Sequence, residues 1–261
     1  MDSCVRTLPD YASLPNEGMA LSKVGITDVK QYRRDFSGIR ALTQQAAYVD
    51  LYGHNGIHMS RLRNVLNTRR DGPITLDRKL LREIKKSQED AKTAYWECSW
   101  ETAFITENEQ ELFIKCLLSG VATPKTYAWY LTVIVPYASV CPCAGKMCDD
   151  AEYGYPHMQR ALATVTMQLN GHEDLDELLT TVVACIIDAV KLIPIPYMKR
   201  DQELDWCQRA EDNPMFVEDA ARAVGAAIDK LAQDYVVVCK HFESIHEHNV
   251  VGIARKGKKL V

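Results

Sequence analysis

The sequence lacks the short signatures that mark many well-known chemistries. It has no P-loop and no Gly-rich dinucleotide fingerprint, so a bound nucleotide is held without a phosphate-cradling glycine loop. It has no HExxH helix and no GxSxG elbow, which excludes the zinc peptidase and serine hydrolase chemistries built on them. It has no excess of basic charge. The net charge is −4 with the signs interspersed, which gives no support for binding nucleic acid or an anionic membrane. No run is long and apolar enough to span a bilayer. Residues 178–197 are interrupted by Asp188, Lys191, Pro194 and Pro196, and the shorter run 131–145 contains Pro136 and Pro142. Residues 1–15 lack the apolar stretch behind a basic start that marks a signal peptide. The expectation is a cytoplasmic protein.

What is present is mostly ordinary. The chain has 261 residues, 47% hydrophobic and 25% charged, enough to bury a sizeable core and compatible with one large domain or two smaller ones. The exception is nine cysteines: Cys4, Cys98, Cys116, Cys141, Cys143, Cys148, Cys185, Cys207 and Cys239. An odd count without a secretion signal argues against a disulfide framework. Most of these thiols are expected to be reduced and buried, with a minority acting as metal ligands or reactive groups.

Periodicity divides the chain into two similar halves. Residues 1–19, with Pro9, Pro15 and Gly18, read as an irregular arm. Strands are expected over 20–29 and 39–52, then a turn at 53–56. Helical spacing over 57–67 puts Met59, Leu62, Val65 and Leu66 on one side. Gly72-Pro73 breaks the chain, and Thr75 is the expected cap of a second helix with the face Leu76, Leu80, Leu81 and Ile84. The period then changes to two. Trp96, Cys98, Trp100 and Phe104 share one strand face, and 111–118 reads as another strand.

The second half repeats the order. A strand from Tyr127 is apolar on both faces, and a second covers 161–169. Asp174 and Glu177 stand at capping-box spacing before a helix carrying Leu175, Leu178, Leu179, Val182, Ile186 and Val190. Asn213-Pro214 is expected to open another helix, with Val217, Ala221, Val224, Ile228 and Leu231 on its apolar face. Strands follow over 235–243 and 249–255, and the basic tail Lys256, Lys258 and Lys259 reads as solvated. Each half is strand, strand, helix, helix, strand, strand. The fold class is therefore α+β, a duplicated unit of antiparallel sheet plus helices, with modules over 20–122 and 123–261.

Two polar clusters stand out against this apolar background. Cys141-Pro142-Cys143, followed by His157, ends the most hydrophobic strand. Pro142 cannot continue a central ladder, and in an extended segment the two thiols point the same way. They are either a metal or catalytic pair or two structural thiols at a strand end. The run 242–248 holds Glu243, His246 and His248 between two apolar strands, as a site or as a polar hairpin turn. Glu203, by itself, reads as a loop acid, and Glu218 as a carboxylate suited to a helix N-terminus. Together, thiol, imidazole and carboxylate make a workable donor set for a catalytic metal.

At this point the residues resemble a known family. The run Ser139-Val-Cys141-Pro-Cys143, Glu152-Tyr-Gly154 and His157-Met-Gln159-Arg160 is similar to the signature of type IB GTP cyclohydrolases, shared by the archaeal metal-dependent enzymes. Lys23-Val-Gly-Ile26 and Gly56-Ile-His58-Met-Ser-Arg61 extend the match. So do Lys199-Arg200 with Glu203, Asn213-Pro214 with Phe216-Val-Glu218-Asp219, and Glu243-Ser-Ile-His246 with His248. The anchors run in order from about residue 20 to 255.

The resemblance implies a tandem tunnelling fold and a homotetramer with active sites at subunit interfaces. It implies hydrolysis of GTP at C8, loss of formate and closure of a dihydropterin, in folate or other pterin biosynthesis. Carried over by position, Cys141, His157, Glu203 and Glu243 would hold one divalent metal: Zn, Mn or Fe(II). Cys143 would transfer protons beside it, and His246 and His248 would supply acid–base chemistry. Glu218 would hold the guanine N1–H and exocyclic amine. Arg61, Arg160, Lys199 and Arg200 are candidates for the triphosphate.

Some features depart from the family pattern. The 144–156 loop adds Cys148 and Asp149-Asp150, Met158 stands where Asn is usual, and 201–211 is atypical. The expected product is 7,8-dihydroneopterin triphosphate. The alternatives are the archaeal-type cyclic phosphate, a related purine nucleotide as substrate, or a non-catalytic metal- or pterin-binding member of the fold.

Overall fold

The computed structural model describes residues 10–106, 109–152 and 154–257. Cys4, Lys258 and Lys259, and the first half of the expected N-terminal arm, lie outside them. The described chain forms eight strands and six helices. The first half runs β1 (Leu21–Arg34), β2 (Arg40–Leu51), α1 (Met59–Asn67), α2 (Arg78–Lys86), β3 (Ala94–Ile105) and β4 (Glu111–Ala122). The second runs β5 (Tyr127–Val140), α3 (Pro142–Ala151), β6 (Met158–Leu169), α4 (Leu175–Val190), α5 (Arg200–Glu211), α6 (Val217–Ile228), β7 (Tyr235–Phe242) and β8 (Val250–Lys256). Every sheet neighbour is also a chain neighbour, as the repeated strand pairs require.

The chain separates into two compact units. One comprises the chain up to Cys98 together with Ser119–Ala128, and the other comprises Ser99–Leu118 and Trp129–Val261. In the first, β1 pairs antiparallel with β2, and α1 and α2 cover them. Leu62, Leu66, Leu80, Leu81 and Ile84 are fully buried, as the helical spacing implies. Trp96 and Cys98 are likewise buried and Trp100 nearly so, whereas Phe104 is half-exposed. Burial pushes the Cys98 thiol up to about 12, so it is an inert core group.

Thr75 does not cap α2. Asp77 does, its carboxylate accepting from the Leu80 N–H at 2.8 Å and from Arg69 Nε at 2.9 Å. Aspartate wins because one carboxylate serves both a free helix N–H and a neighbouring guanidinium. Replacing Asp77 with Ala is expected to cost about 1–2 kcal/mol. It should appear as a lower urea midpoint at unchanged slope.

In the second unit, β5 to β8 form a continuous antiparallel ladder. α6 packs on β7, β8 and α4. Gly252 permits the close approach: a Cβ there would lie 2.8 Å from the Val217 carbonyl oxygen. The first turn of α6 is thereby set against the sheet.

Two expectations about helices need correction. The 144–156 region is largely helical (α3), and Glu203 sits on a helix (α5) rather than a loop. Pro142 ends β5 and occupies the first turn of α3, where its missing N–H is no loss. Asn213-Pro214 does not open α6. It links α5 to α6, with Asn213 Nδ2 donating back to the Arg209 carbonyl at 2.8 Å. The Asp219 carboxylate accepts from the Phe216 N–H and closes the α6 terminus instead. Asp174 does cap α4, accepting from Asp176 and Glu177 N–H.

The thiols also divide differently than expected. Among the eight described cysteines none is in a disulfide; Cys98, Cys116 and Cys239 are buried, while Cys143 and Cys207 are exposed.

Candidate active site

Antiparallel pairing gathers distant parts of the chain at one end of the second unit. Val140, the last residue of β5, faces Met158, the first of β6. Near the end of β7, Phe242 faces Arg160 and His241 faces Val250, the first residue of β8. Residues just beyond these strand ends, or on their last inward-facing positions, must therefore converge. The α6 terminus joins them: Met215 N–H donates to the Val140 carbonyl at 3.1 Å, and Ser139 Oγ donates to the Met215 carbonyl at 2.6 Å.

The result is a cavity of about 270 Å³. It is lined by Cys141, Pro142, His157, Gln159, Met215, Phe216, Val217, Glu218, His241, Glu243, His246, His248 and Val250. Cys141 and His157 are tied directly, Cys141 N–H donating to the His157 carbonyl at 3.1 Å. Glu218 lies in the first turn of α6, where a carboxylate also suits the helix dipole. His246 and His248 stack with ring centres 5.0 Å apart, on the exposed β7–β8 connection.

Other expected site residues lie elsewhere. Cys143 is exposed and outside the cavity lining. The extended geometry that would align it with Cys141 is absent, because helix α3 starts at Pro142 and rotates the next residues away. Glu203 is exposed on α5 and does not line the cavity. Lys199 and Arg200, at the start of α5, and Arg160, on β6, are exposed. Arg61 belongs to α1 in the other unit, 3.9 Å from Glu89.

The cavity fits a metal by donor chemistry, with thiol, imidazole and carboxylate among its lining groups. His157 Nδ1 is buried and has no hydrogen-bond partner among the described residues, a costly state that a bound cation would relieve. No three His, Cys, Asp or Glu side chains among the described residues are yet close enough to hold an ion. The donors are thus gathered without being closed into a coordination shell.

Two lining residues escaped the sequence reading. Gln159 and His241 are 6% and 1% exposed. His241 Nε2 lies 2.8 Å from Tyr137 Oη, and its Nδ1 lies 3.4 Å from Gln159 Nε2. Burial lowers the His241 pKa, with Glu243 and Glu218 pulling the other way, so the ring is neutral at pH 7. Burial raises the Tyr137 hydroxyl, which stays protonated, and pushes the Cys239 thiol beneath it up to about 11. A signal did exist in the sequence. Gln159 is in phase with Ala161, Ala163 and Val165, and His241 with Val237 and Cys239, so each is a polar residue on an apolar strand face.

The strand and helix order, with a polar cavity where the antiparallel strands end, defines an α+β tunnelling-fold protein. Uricase from Arthrobacter globiformis is similar in fold, with a TM-score of 0.61 at 9% identity over 94% of this chain and 96% of that one. Sequence carries the assignment further. Residues 8–252 match the family described as GCHY-1, type I GTP cyclohydrolase folE2. The GTP cyclohydrolase FolE2 of Thiobacillus denitrificans is 30% identical over 97% of this chain and 96% of its own length. That of Nitrosococcus oceani is 31% identical over 92% and 91%. The chain belongs to the type I GTP cyclohydrolase FolE2 family.

Proposed function

We propose that the protein is a metal-dependent GTP cyclohydrolase that opens the purine at C8, releases formate and forms 7,8-dihydroneopterin triphosphate. One observation carries this reading: Cys141, His157, Glu243, Glu218, His246 and His248 come from four separate chain segments to one cavity. A structural metal site has no use for the last three.

Cys141, His157 and Glu243 would hold a divalent Zn, Mn or Fe(II), with Glu203 completing the set from α5. When bound, the metal would supply a water of lowered pKa for attack on C8. Glu218 accepts from the guanine N1–H and 2-amino group and thereby sets which ring atom faces the donors. His246 and His248 stand at the mouth, where imidazoles can carry protons to and from the opening ring and the ribose. Cys143 is a further proton carrier, on the adjoining helix. Arg61, Arg160, Lys199 and Arg200 are assigned to the triphosphate. The exposed position of several of these groups accords with a homotetramer whose sites are completed between subunits. The modules are residues 20–122 and 123–261, preceded by the arm 1–19. The product would enter folate or another pterin pathway in the cytoplasm. Among the described residues no helix is long and apolar enough to cross a membrane.

The test is incubation of the protein with GTP and Mn, Zn or Fe(II), followed by oxidation and pterin fluorescence. A fluorescent pterin triphosphate is expected. A cyclic phosphate would assign the archaeal-type product, and absence of formate and pterin with every metal would overturn the reading.

A further inference from the structure

The cavity holds one buried acceptor that the roles above leave unused. Gln159 is 6% exposed and lines the cavity, and its Oε1 is buried without a hydrogen-bond partner among the described residues. Its orientation is set from behind. Tyr137 Oη hydrogen-bonds Cys239 and lies 2.8 Å from His241 Nε2. The Gln159 amide NH₂ faces His241 Nδ1 at 3.4 Å, an arrangement in which Nδ1 accepts and Nε2 donates. The amide oxygen is thereby turned away from the network. An unpaired buried carbonyl loses its water without recompense, and such groups are rare unless a ligand completes them.

We propose that Gln159 is a specificity-determining residue that accepts a hydrogen from the 2-amino group of the purine. The inference rests on the reading of Glu218 as the guanine-binding carboxylate. An exocyclic amine has two hydrogens. A carboxylate that spans N1–H and the amine takes one and leaves the other directed away from itself. Gln159 is the acceptor for that second hydrogen. Its Oε1 and the Glu218 carboxylate together select a 2-aminopurine and leave hypoxanthine, which lacks the amine, with two unmet acceptors. Tyr137 and His241 are positioning residues that stop the amide from turning its NH₂ toward the purine.

The experiment compares GTP with inosine triphosphate, which differs only by the 2-amino group. Binding of each to the full chain is measured by calorimetry in EDTA, which stops turnover. The unaltered protein is expected to prefer GTP by about 100-fold, because both acceptors lose a donor with inosine triphosphate. Gln159→Leu should lower GTP affinity about tenfold and change inosine triphosphate affinity less than about twofold. Retained inosine triphosphate binding also shows that the variant is folded. Gln159→Met, closer in length, should behave the same way.

Equal loss of both nucleotides in both variants, or equal affinity of the unaltered protein for both nucleotides, overturns the proposal. Glu218→Gln separates it from the reading beneath it. That change should weaken both nucleotides, since both carry N1–H. If it weakens neither while Gln159→Leu stays GTP-selective, Glu218 is misassigned and Gln159 stands.

Discussion

His157→Ala is expected to lose its bound metal and at least about 100-fold of GTP turnover. The reasoning starts from burial. His157 Nδ1 is enclosed and unpaired, while the backbone beside it is fixed by the bond from Cys141 N–H. An imidazole so placed is already oriented for a cation and loses little freedom on binding one. Removing only a partner that orients a metal ligand commonly costs about 10–100-fold in affinity or activity. Removing a donor itself should cost at least the upper end of that range. Metal content per chain and pterin formation are the paired measurements, with far-UV circular dichroism as the control for folding. Full metal content with lost turnover would make His157 a proton-transfer group instead. Glu203→Gln belongs in the same series, because α5 holds that carboxylate outside the cavity lining. Lower metal retention is expected, and content equal to the unaltered protein removes Glu203 from the ligand set.

Glu218→Gln should lower kcat/KM for GTP by about 10–100-fold and leave metal content unchanged. A carboxylate accepting two hydrogen bonds is worth about 1.5–3 kcal/mol for each bond to a charged group. The glutamine amide can offer one acceptor and must present an NH₂ to a second donor. Glu218 stands in the first turn of α6, held on the sheet by the close packing at Gly252, so the change should not disturb the proposed donors just beyond the ends of β5, β6 and β7. Loss of metal in this variant would show that Glu218 is a ligand.

The strands and all four expected helices were legible because burial imposes a period. Leu62, Leu66, Leu80, Leu81 and Ile84 repeat at helical spacing, and Trp96, Cys98 and Trp100 alternate, as an apolar face must. The misreadings occurred where local signals compete. Asp77 outranked Thr75 because Arg69, remote in pattern but near in space, rewards a carboxylate. α3 and α5 were missed because their largely polar sequences carry no buried face to set a period. α3 buries no residue, and α5 buries Ala210 alone. Asn213-Pro214 has the composition of a helix start, yet the chain spends it on a turn.

The sequence by itself determined the α+β class, the order of the eight strands and of the four helices with buried faces, and the chemical types of the site: thiol, imidazole and carboxylate near strand ends. Those follow from periodicity and from spacing along the chain, which are one-dimensional properties. The tertiary structure decided which of these groups meet. Strand register put Cys141, His157, Glu218, Glu243, His246 and His248 around one cavity and left Cys143 and Glu203 outside it. It also brought in Gln159 and His241, whose inward position depends on the sheet face they share with alanine and valine. Spacing in sequence cannot supply that information, because a helix starting one residue earlier or later turns a side chain by about 100°. Which polar groups are buried without a partner is likewise a property of the packed interior alone.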